Sequence, residues 1–351
     1  MSPSVRPALF RQPPSTRYQG SKLKLLPWLA EQLARLEFHT VLDAFGGTGS
    51  VSYLLKAQGK AVTCNDYLRC NYQTATALIE NRRVRLSEDD VRQVLRRDPE
   101  TAYDDFISRT FRDIYFTAAE DRWLDTVCQN IPRLPGRYRR ALAYHALFQA
   151  CLIKRPYNLF HRKNLYLRTA QVARSFGNKA SWDAPFEEHF RRFVAEANAA
   201  VFDSGSACRA LCRDALEVPG DYDLVYIDPP YLNRRGVGVD YLQFYHFLEG
   251  ITDYARWGER IDYRRPHRPL RGPRSPWSDP RCIHAAFARL FERFADSILV
   301  VSYRSDGIPS AEELAALLGR VKRSVTRVKY GEYQYALSTN THSDEVLLIG
   351  Q

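Results

Sequence analysis

Asp228-Pro229-Pro230-Tyr231 follows directly on an apolar run, Leu224-Val225-Tyr226-Ile227. The run reads as a buried strand, and in open α/β sheets ligands sit at the carboxyl ends of the strands. The four residues suit the holding of a planar, amine-bearing base. The Asp228 carboxylate can accept one hydrogen of an exocyclic NH2, and the Pro229 carbonyl can accept the other. Two prolines fix φ and bring no competing N–H, so the carbonyls point one way. Tyr231 offers a ring face on which a base can stack. The same tetrapeptide also serves as plain turn punctuation after a strand. Its meaning therefore depends on what accompanies it.

A second group of residues gathers around a glycine-rich turn. Thr40-Val41-Leu42-Asp43 reads as a short strand, Phe45-Gly46-Gly47-Thr48-Gly49-Ser50 as the turn, and 51–57 as the start of a helix. Glycines there let the backbone approach a ligand closely. A second strand, 61–64, ends at Asn65-Asp66, and an acid at that place can bind both hydroxyls of a ribose. Asp214 follows a third strand and is placed to contact an adenine edge. Upstream, Tyr18-Gln19-Gly20-Ser21-Lys22 opens a helical pattern that runs to Leu36, with Ser21 as its candidate N-cap. Free N–H groups and Lys22 there can hold a carboxylate. A nucleoside bearing an amino-acid carboxylate fits all these groups, and S-adenosylmethionine is such a molecule. The spacing is not Gly-x-Gly-x-x-Gly, which disfavours a nicotinamide dinucleotide.

The elements that must position these groups follow from the pattern. The strand–turn–helix–strand–acid order is a Rossmann-like half. Over 75–205 the rhythm turns helical, with patterns at 86–97, 121–130, 137–153 and 185–202. Strands resume at 207–212, 224–227 and 297–302. The segments 325–330, 335–338 and 345–349 read as an antiparallel edge. The expected organisation is a flexible Pro-rich arm at 1–16, a discontinuous catalytic domain at 17–74 and 206–351, and an inserted helical domain at 75–205. Residues 258–281, rich in Arg and Pro, read as a mobile loop.

Bulk properties narrow the class. The chain has 351 residues, a net charge of +11 and 45% hydrophobic residues, as expected of a globular protein with a polyanionic partner. No apolar run reaches the ~18 residues of a membrane span, and 1–14 lacks the apolar core of a signal peptide. A cytoplasmic protein with no membrane association is expected. The seven cysteines form no Cys-x-x-Cys pair, so reduced thiols are expected rather than disulfides or structural zinc.

In sequence order, Tyr18-x-Gly20-x-Lys22, Asp43-x-Phe45-x-Gly47-x-Gly49-Ser50, Asp66, Asp214 and Asp228-Pro229-Pro230-Tyr231 resemble the DNA adenine-N6 methyltransferases of the alpha arrangement. That is the Dam-like class, which includes the bacterial GATC methylase. Val300-Val301-Ser302-Tyr303 resembles a later sheet strand of the same family. The resemblance covers roughly 17–72 and 207–349, with the family's target-recognition region falling in the insert. It implies an α/β, Rossmann-like methyltransferase sheet, S-adenosylmethionine as methyl donor with S-adenosylhomocysteine as product, and no metal. It also implies a flipped adenine stacked on Tyr231 with its amine held by Asp228 and Pro229, Phe45 near the cofactor, and direct transfer without a covalent intermediate. Double-stranded DNA is the implied partner, a cognate restriction endonuclease is a candidate second one, and a monomer is expected.

For DNA contacts the sequence offers Lys154, Arg155, Asn158, His161, Arg162, Lys163 and Asn164, with Arg168 beyond. Lysine and arginine neutralise phosphates, and Arg and Asn read guanine and adenine edges. Tyr157 and Phe160 could wedge or pack. Arg234 and Arg235 suit a loop near the flipped base. Arg264, Arg265, Arg268, Arg271 and Arg274 could clamp the backbone. Tyr241, Phe244, Tyr245 and Phe247 read as packing below the pocket. Three alternatives remain open: an RNA adenine methyltransferase using the same turn, a methyltransferase acting on a protein amide, and a nucleic-acid-binding protein with an inactive site.

Overall fold

The computed structural model describes residues 11–171, 179–332 and 344–351. Its strands are β1 (Thr40–Asp43), β2 (Ala61–Asn65), β3 (Arg209–Leu211), β4 (Leu224–Ile227), β5 (Leu232–Asn233), β6 (Ile298–Arg304), β7 (Gly307–Ile308), β8 (Val325–Glu332) and β9 (Asp344–Gly350). Seven of them form one sheet in the order β3-β2-β1-β4-β6-β9-β8, and β5 pairs with β7 apart from it. The pairs from β3 through β6 are parallel, and β9 runs antiparallel to both β6 and β8.

The apolar runs explain this sheet. All four residues of β4 are buried, as a strand covered on both faces must be. Successive side chains serve opposite faces. Val41, Leu224, Tyr226 and Val300 join one core, while Leu42, Val225, Ile227, Leu299 and Val301 join the other. From β1 the chain moves outward to β2 and β3 on one side. From β4 it moves to β6 on the other. The order therefore reverses between β1 and β4, which places a crevice at their carboxyl ends. The glycine turn follows β1 and Asp-Pro-Pro-Tyr follows β4, so both open into that crevice.

The segment between β2 and β3 is mostly helical. Helix Ala118–Asn130 starts at a capping box made by Thr117 and Glu120, and helix Arg137–Ile153 is buried from Ala141 onward. These helices do not enclose a core of their own. Phe111, Tyr115, Leu147 and Phe160 join Phe247 and Trp257 in the core that covers one sheet face.

Three expectations need correction. The helix expected from Lys22 to Leu36 is a short 3-10 turn, Leu23–Leu25, followed by an α-helix, Leu26–Leu33. Pro27 lies in its first turn, where its missing N–H costs nothing. Ser21 caps neither, and its hydroxyl instead lies 3.4 Å from that of Ser50. Residues 11–16 of the expected arm lie against helix Phe186–Ala200, with Arg11 donating to the Ala199 carbonyl and Ser15 to Glu196. Finally, 258–281 is not a structureless loop. Ile261 bridges Leu270, and the Arg271 N–H donates to the Arg260 carbonyl, closing a hairpin. Burial of Trp257, Ile261, Leu270 and Trp277 holds it down. The strand expected at 335–338 lies outside the described residues.

Candidate active site

The crevice is a cavity of about 1480 Å³. Most ligand pockets measure about 300–1,000 Å³, so this one has room for more than one small molecule. Tyr18, Gly20, Lys22, Asp43, Phe45, Gly47, Ser50, Asp66, Asp214 and the whole Asp228–Tyr231 turn line it. The structure thus brings together in one space nearly every residue that the sequence nominated for cofactor and base. Gly49 lies just behind, with φ +74° as the cap of helix Ser50–Ala57. Gly20 has φ +84°, and a Cβ there would stand 2.5 Å from the Tyr241 hydroxyl. Glycine at that position is a requirement of both backbone and space.

The glycine turn is held by the acids around it. Asp66 accepts from the Gly47 and Leu68 N–H groups, which leaves lone pairs for further donors. Burial pushes its pKa up to about 6. Asp43 accepts from Ser52 through Oδ2, while its buried Oδ1 has no partner among the described residues. Burial pushes it up to about 7. Asp214 is exposed and caps the turn Ala215–Glu217 through the Leu216 N–H. Tyr18 stacks on Tyr245 and Tyr241, with centroids 4.1 and 5.4 Å apart, and receives a hydrogen bond from Asn71. Phe45 meets the edge of Trp277 at 4.8 Å.

Lys22 departs from its expected role. Its ammonium does not stand free for a ligand carboxylate. It donates to Asp228 Oδ1 at 2.8 Å and to the Tyr231 hydroxyl, and lies 3.3 Å from Glu345. Burial would lower its pKa, but the Asp228 and Glu345 carboxylates outweigh that and hold it above the ordinary lysine value. Tyr231 does more than present a ring. Its hydroxyl lies 2.8 Å from both Asp228 Oδ1 and Glu345 Oε1. Burial pushes Asp228 up, Lys22 opposes the rise and Glu345 adds to it.

The expected DNA contacts divide. Lys154 is buried, pairs with Glu120 and donates to the Trp182 and Ala184 carbonyls. Arg155 is buried too, and donates to the Leu159, Tyr115 and Arg162 carbonyls and to Asn164, which is itself buried. Arg168 pairs with Glu120. These groups brace the fold, because a buried cation must be paired within it, and as placed they cannot reach phosphates. Phe160 is in the core. Arg162 and Lys163 are exposed, and Arg162 lines the cavity. Tyr157 is 53% exposed, and both it and Asn158 have positive φ, at +61° and +57°. His161 is half-buried against Phe244. Arg234 and Arg235 are exposed on the turn between Asn233 and Val237. Tyr241 and Phe244 line the cavity, whereas Tyr245 and Phe247 pack in the core.

Sequence reasoning missed Glu345, Ser302 as a polar partner, and Trp277. A weak signal for Glu345 existed: it is the acid, next to Asp344, that directly abuts the apolar run Val346-Leu347-Leu348-Ile349.

A Rossmann-like crevice with an acid-prolyl-prolyl-aromatic turn on one side and a glycine turn on the other defines a class of base-modifying transferases. The chain belongs to the D12 class N6 adenine-specific DNA methyltransferases, whose family pattern matches residues 18–256. It is 32% identical over 321 residues to Type II methyltransferase M2.HphI of Haemophilus parahaemolyticus, covering 89% of this chain and 90% of that one. It is 24% identical to Type II methyltransferase M.FokI of Planomicrobium okeanokoites, covering 86% of this chain, and 23% identical to modification methylase StsI of Streptococcus sanguinis, covering 91%. The chain spans 46% and 49% of the lengths of those two enzymes. It is an adenine-specific DNA methyltransferase. Among the described residues no helix is long and apolar enough to cross a membrane.

Proposed function

We propose that this enzyme takes S-adenosylmethionine at the glycine turn and methylates the N6 amine of an adenine flipped out of duplex DNA onto the Asp228–Tyr231 turn. The observation that carries the reading is that both turns open into one cavity from adjacent strands, β1 and β4. When bound, S-adenosylmethionine supplies a methyl group on a sulfonium. The residues fit it: Asp66 for the ribose, Asp214 for the adenine edge, Phe45 beside the cofactor, and the partnerless Asp43 Oδ1 for a donor group. Asp228 and the Pro229 carbonyl orient the amine so that its lone pair faces the methyl carbon. Catalysis is then positioning and electrostatics. Labelled methyl transferred from S-adenosylmethionine to unmethylated genomic DNA should appear as N6-methyldeoxyadenosine. Sequencing the modified sites should return one short motif, as a restriction–modification role alongside a cognate endonuclease requires. Label in total RNA alone would move the activity to the RNA reading.

In this reading the enzyme acts on DNA as a monomer in the cytoplasm. We place the duplex across the cavity mouth. Arg162 and Lys163 stand on one side, with Tyr157 exposed as a wedge for the space the adenine leaves. The Arg260–Arg271 hairpin lies beside them. The Tyr115 hydroxyl lies 2.6 Å from the carbonyls of both Phe160 and His267, and so ties these two basic segments together. Arg264 and Arg265 at the hairpin tip are exposed. Replacing both with alanine should lower the slope of log affinity against log salt by about 1–2, since each phosphate contact contributes about 0.9. Cofactor affinity should be unchanged. Filter binding or fluorescence anisotropy across a salt series measures it, and an unaltered slope removes the hairpin from the DNA path.

A further inference from the structure

Behind the catalytic turn, β9 brings Glu345 to a position that the reaction as described does not use. It is completely buried. Its Oε1 accepts from the Ser302 hydroxyl of β6, lies 2.8 Å from the Tyr231 hydroxyl and 3.3 Å from Lys22 Nζ. Burying a carboxylate is costly unless it is paired, and here two of its partners, Lys22 and Tyr231, are the residues that hold Asp228. All hydrogen bonds to Asp228 gather on Oδ1, from Lys22 and Tyr231. Oδ2 accepts none among the described residues, and Asp228 lines the cavity.

Tyr231 has one hydroxyl hydrogen and two carboxylates at equal distance. When it donates to Glu345, Asp228 Oδ1 is left to Lys22 alone. With Lys22 anchored from both sides, the Asp228 carboxyl plane is fixed through Oδ1, leaving Oδ2 available to a ligand. We propose that Glu345 is a positioning residue for methyl transfer, acting through Lys22 and Tyr231 to hold Asp228 with one oxygen toward the adenine amine. This rests on the proposed base-holding role of Asp228. The N6 lone pair makes the new N–C bond as the S–C electron pair returns to sulfur. N6 then carries a positive charge until one of its protons passes to Asp228. A nest of two carboxylates and one ammonium suits that developing charge.

Glu345 also adds to the burial that raises the Asp228 pKa. The other ionisable groups facing this pair are Lys22, Tyr231, Asp43, Tyr226 and Tyr241, with Arg304 of β6 and Tyr330 of β8 in register with Glu345. Glu345 also adds to the rise of Lys22 and Tyr226, so its replacement relaxes both as well as Asp228. Transfer needs Asp228 ionised, so the rate rises with pH through the Asp228 titration. Glu345→Gln should lower the single-turnover methyl-transfer rate about 100-fold, the scale for misplacing a reacting group by about 1 Å, leave the cofactor affinity of the protein unchanged, and move this acid limb to lower pH. A 13C NMR titration of the unliganded protein, with Asp228→Asn to assign the signal, should show the same displacement. Glu345→Asp keeps the charge at shorter reach, so the acid limb should return while the rate stays low.

A Glu345→Gln enzyme with wild-type rate, or with its acid limb and NMR titration unmoved, overturns the proposal, even where its melting temperature has dropped. If Glu345→Gln does not fold, Glu345→Asp carries the test, and an undiminished rate refutes it. Wild-type transfer to DNA, measured in parallel, separates failure of this inference from failure of the reading beneath it.

Discussion

Asp228→Ala is expected to abolish methyl transfer while leaving a folded protein that still binds cofactor. In the proposed reading Asp228 holds the reacting amine, and its removal takes away the acceptor that would orient the N6 lone pair. A loss of at least about 10³-fold, equivalent to about 4 kcal/mol of transition-state stabilisation, is the scale for removing one preorganised group at a reacting centre. Stability should not follow activity. Lys22, Asp228 and Glu345 together carry a net negative charge in a buried place when all are ionised. Taking Asp228 away leaves Lys22 and Glu345 as a pair 3.3 Å apart. The variant should melt at or above the wild-type temperature, the behaviour of a site held under strain for function. Methyl incorporation, cofactor titration and a thermal melt on one preparation check all three statements. Retained transfer would remove Asp228 from its role.

That strain was not legible in the sequence, although much else was. β1, β2, β4 and β6 were recognisable because strands buried on both faces must be apolar throughout, as Leu224 to Ile227 are. Asp66 and Asp228 were recognisable because each sits where such a run stops. Lys22 was misread for a physical reason. A lysine beside a glycine at a helix start looks like an anion site, and only the fold shows that Asp228, 206 residues away, reaches it first. Lys154, Arg155 and Arg168 were misread in the same way. Nothing in a basic run says which cations will be drawn inward by an acid such as Glu120. Glu345 carried only a weak signal in the sequence, because Lys22 and Tyr231, far away in the chain, are brought to it only by the fold. Trp277 was hidden in a segment whose Arg and Pro content resembles a loop, and its role appears only when it meets Phe45.

The acid–base balance at the catalytic turn makes Lys22→Ala the most destabilising single change expected at the site. Lys22 is the only cation within hydrogen-bonding reach of both Asp228 and Glu345 among the described residues. Without it two carboxylates remain buried about one tyrosine hydroxyl, each 2.8 Å from that oxygen. Breaking a buried pair by removing one partner costs about 3–5 kcal/mol, a fall in melting temperature of roughly 4–7 °C for a chain of this size. The loss should depend on pH in a stated direction. Lys22 is what opposes the burial-driven rise of the Asp228 pKa, so in the variant that carboxyl titrates higher still, well above its value in the unfolded chain. A group raised on folding favours the folded state at low pH, where it is protonated in the native protein, and withdraws that support as pH rises through its folded value. The gap between variant and wild type should therefore be widest at pH 8 and close as the pH is lowered toward 5, with methyl transfer lost throughout. A gap that stays constant across that range would mean that Lys22 contributes packing rather than charge.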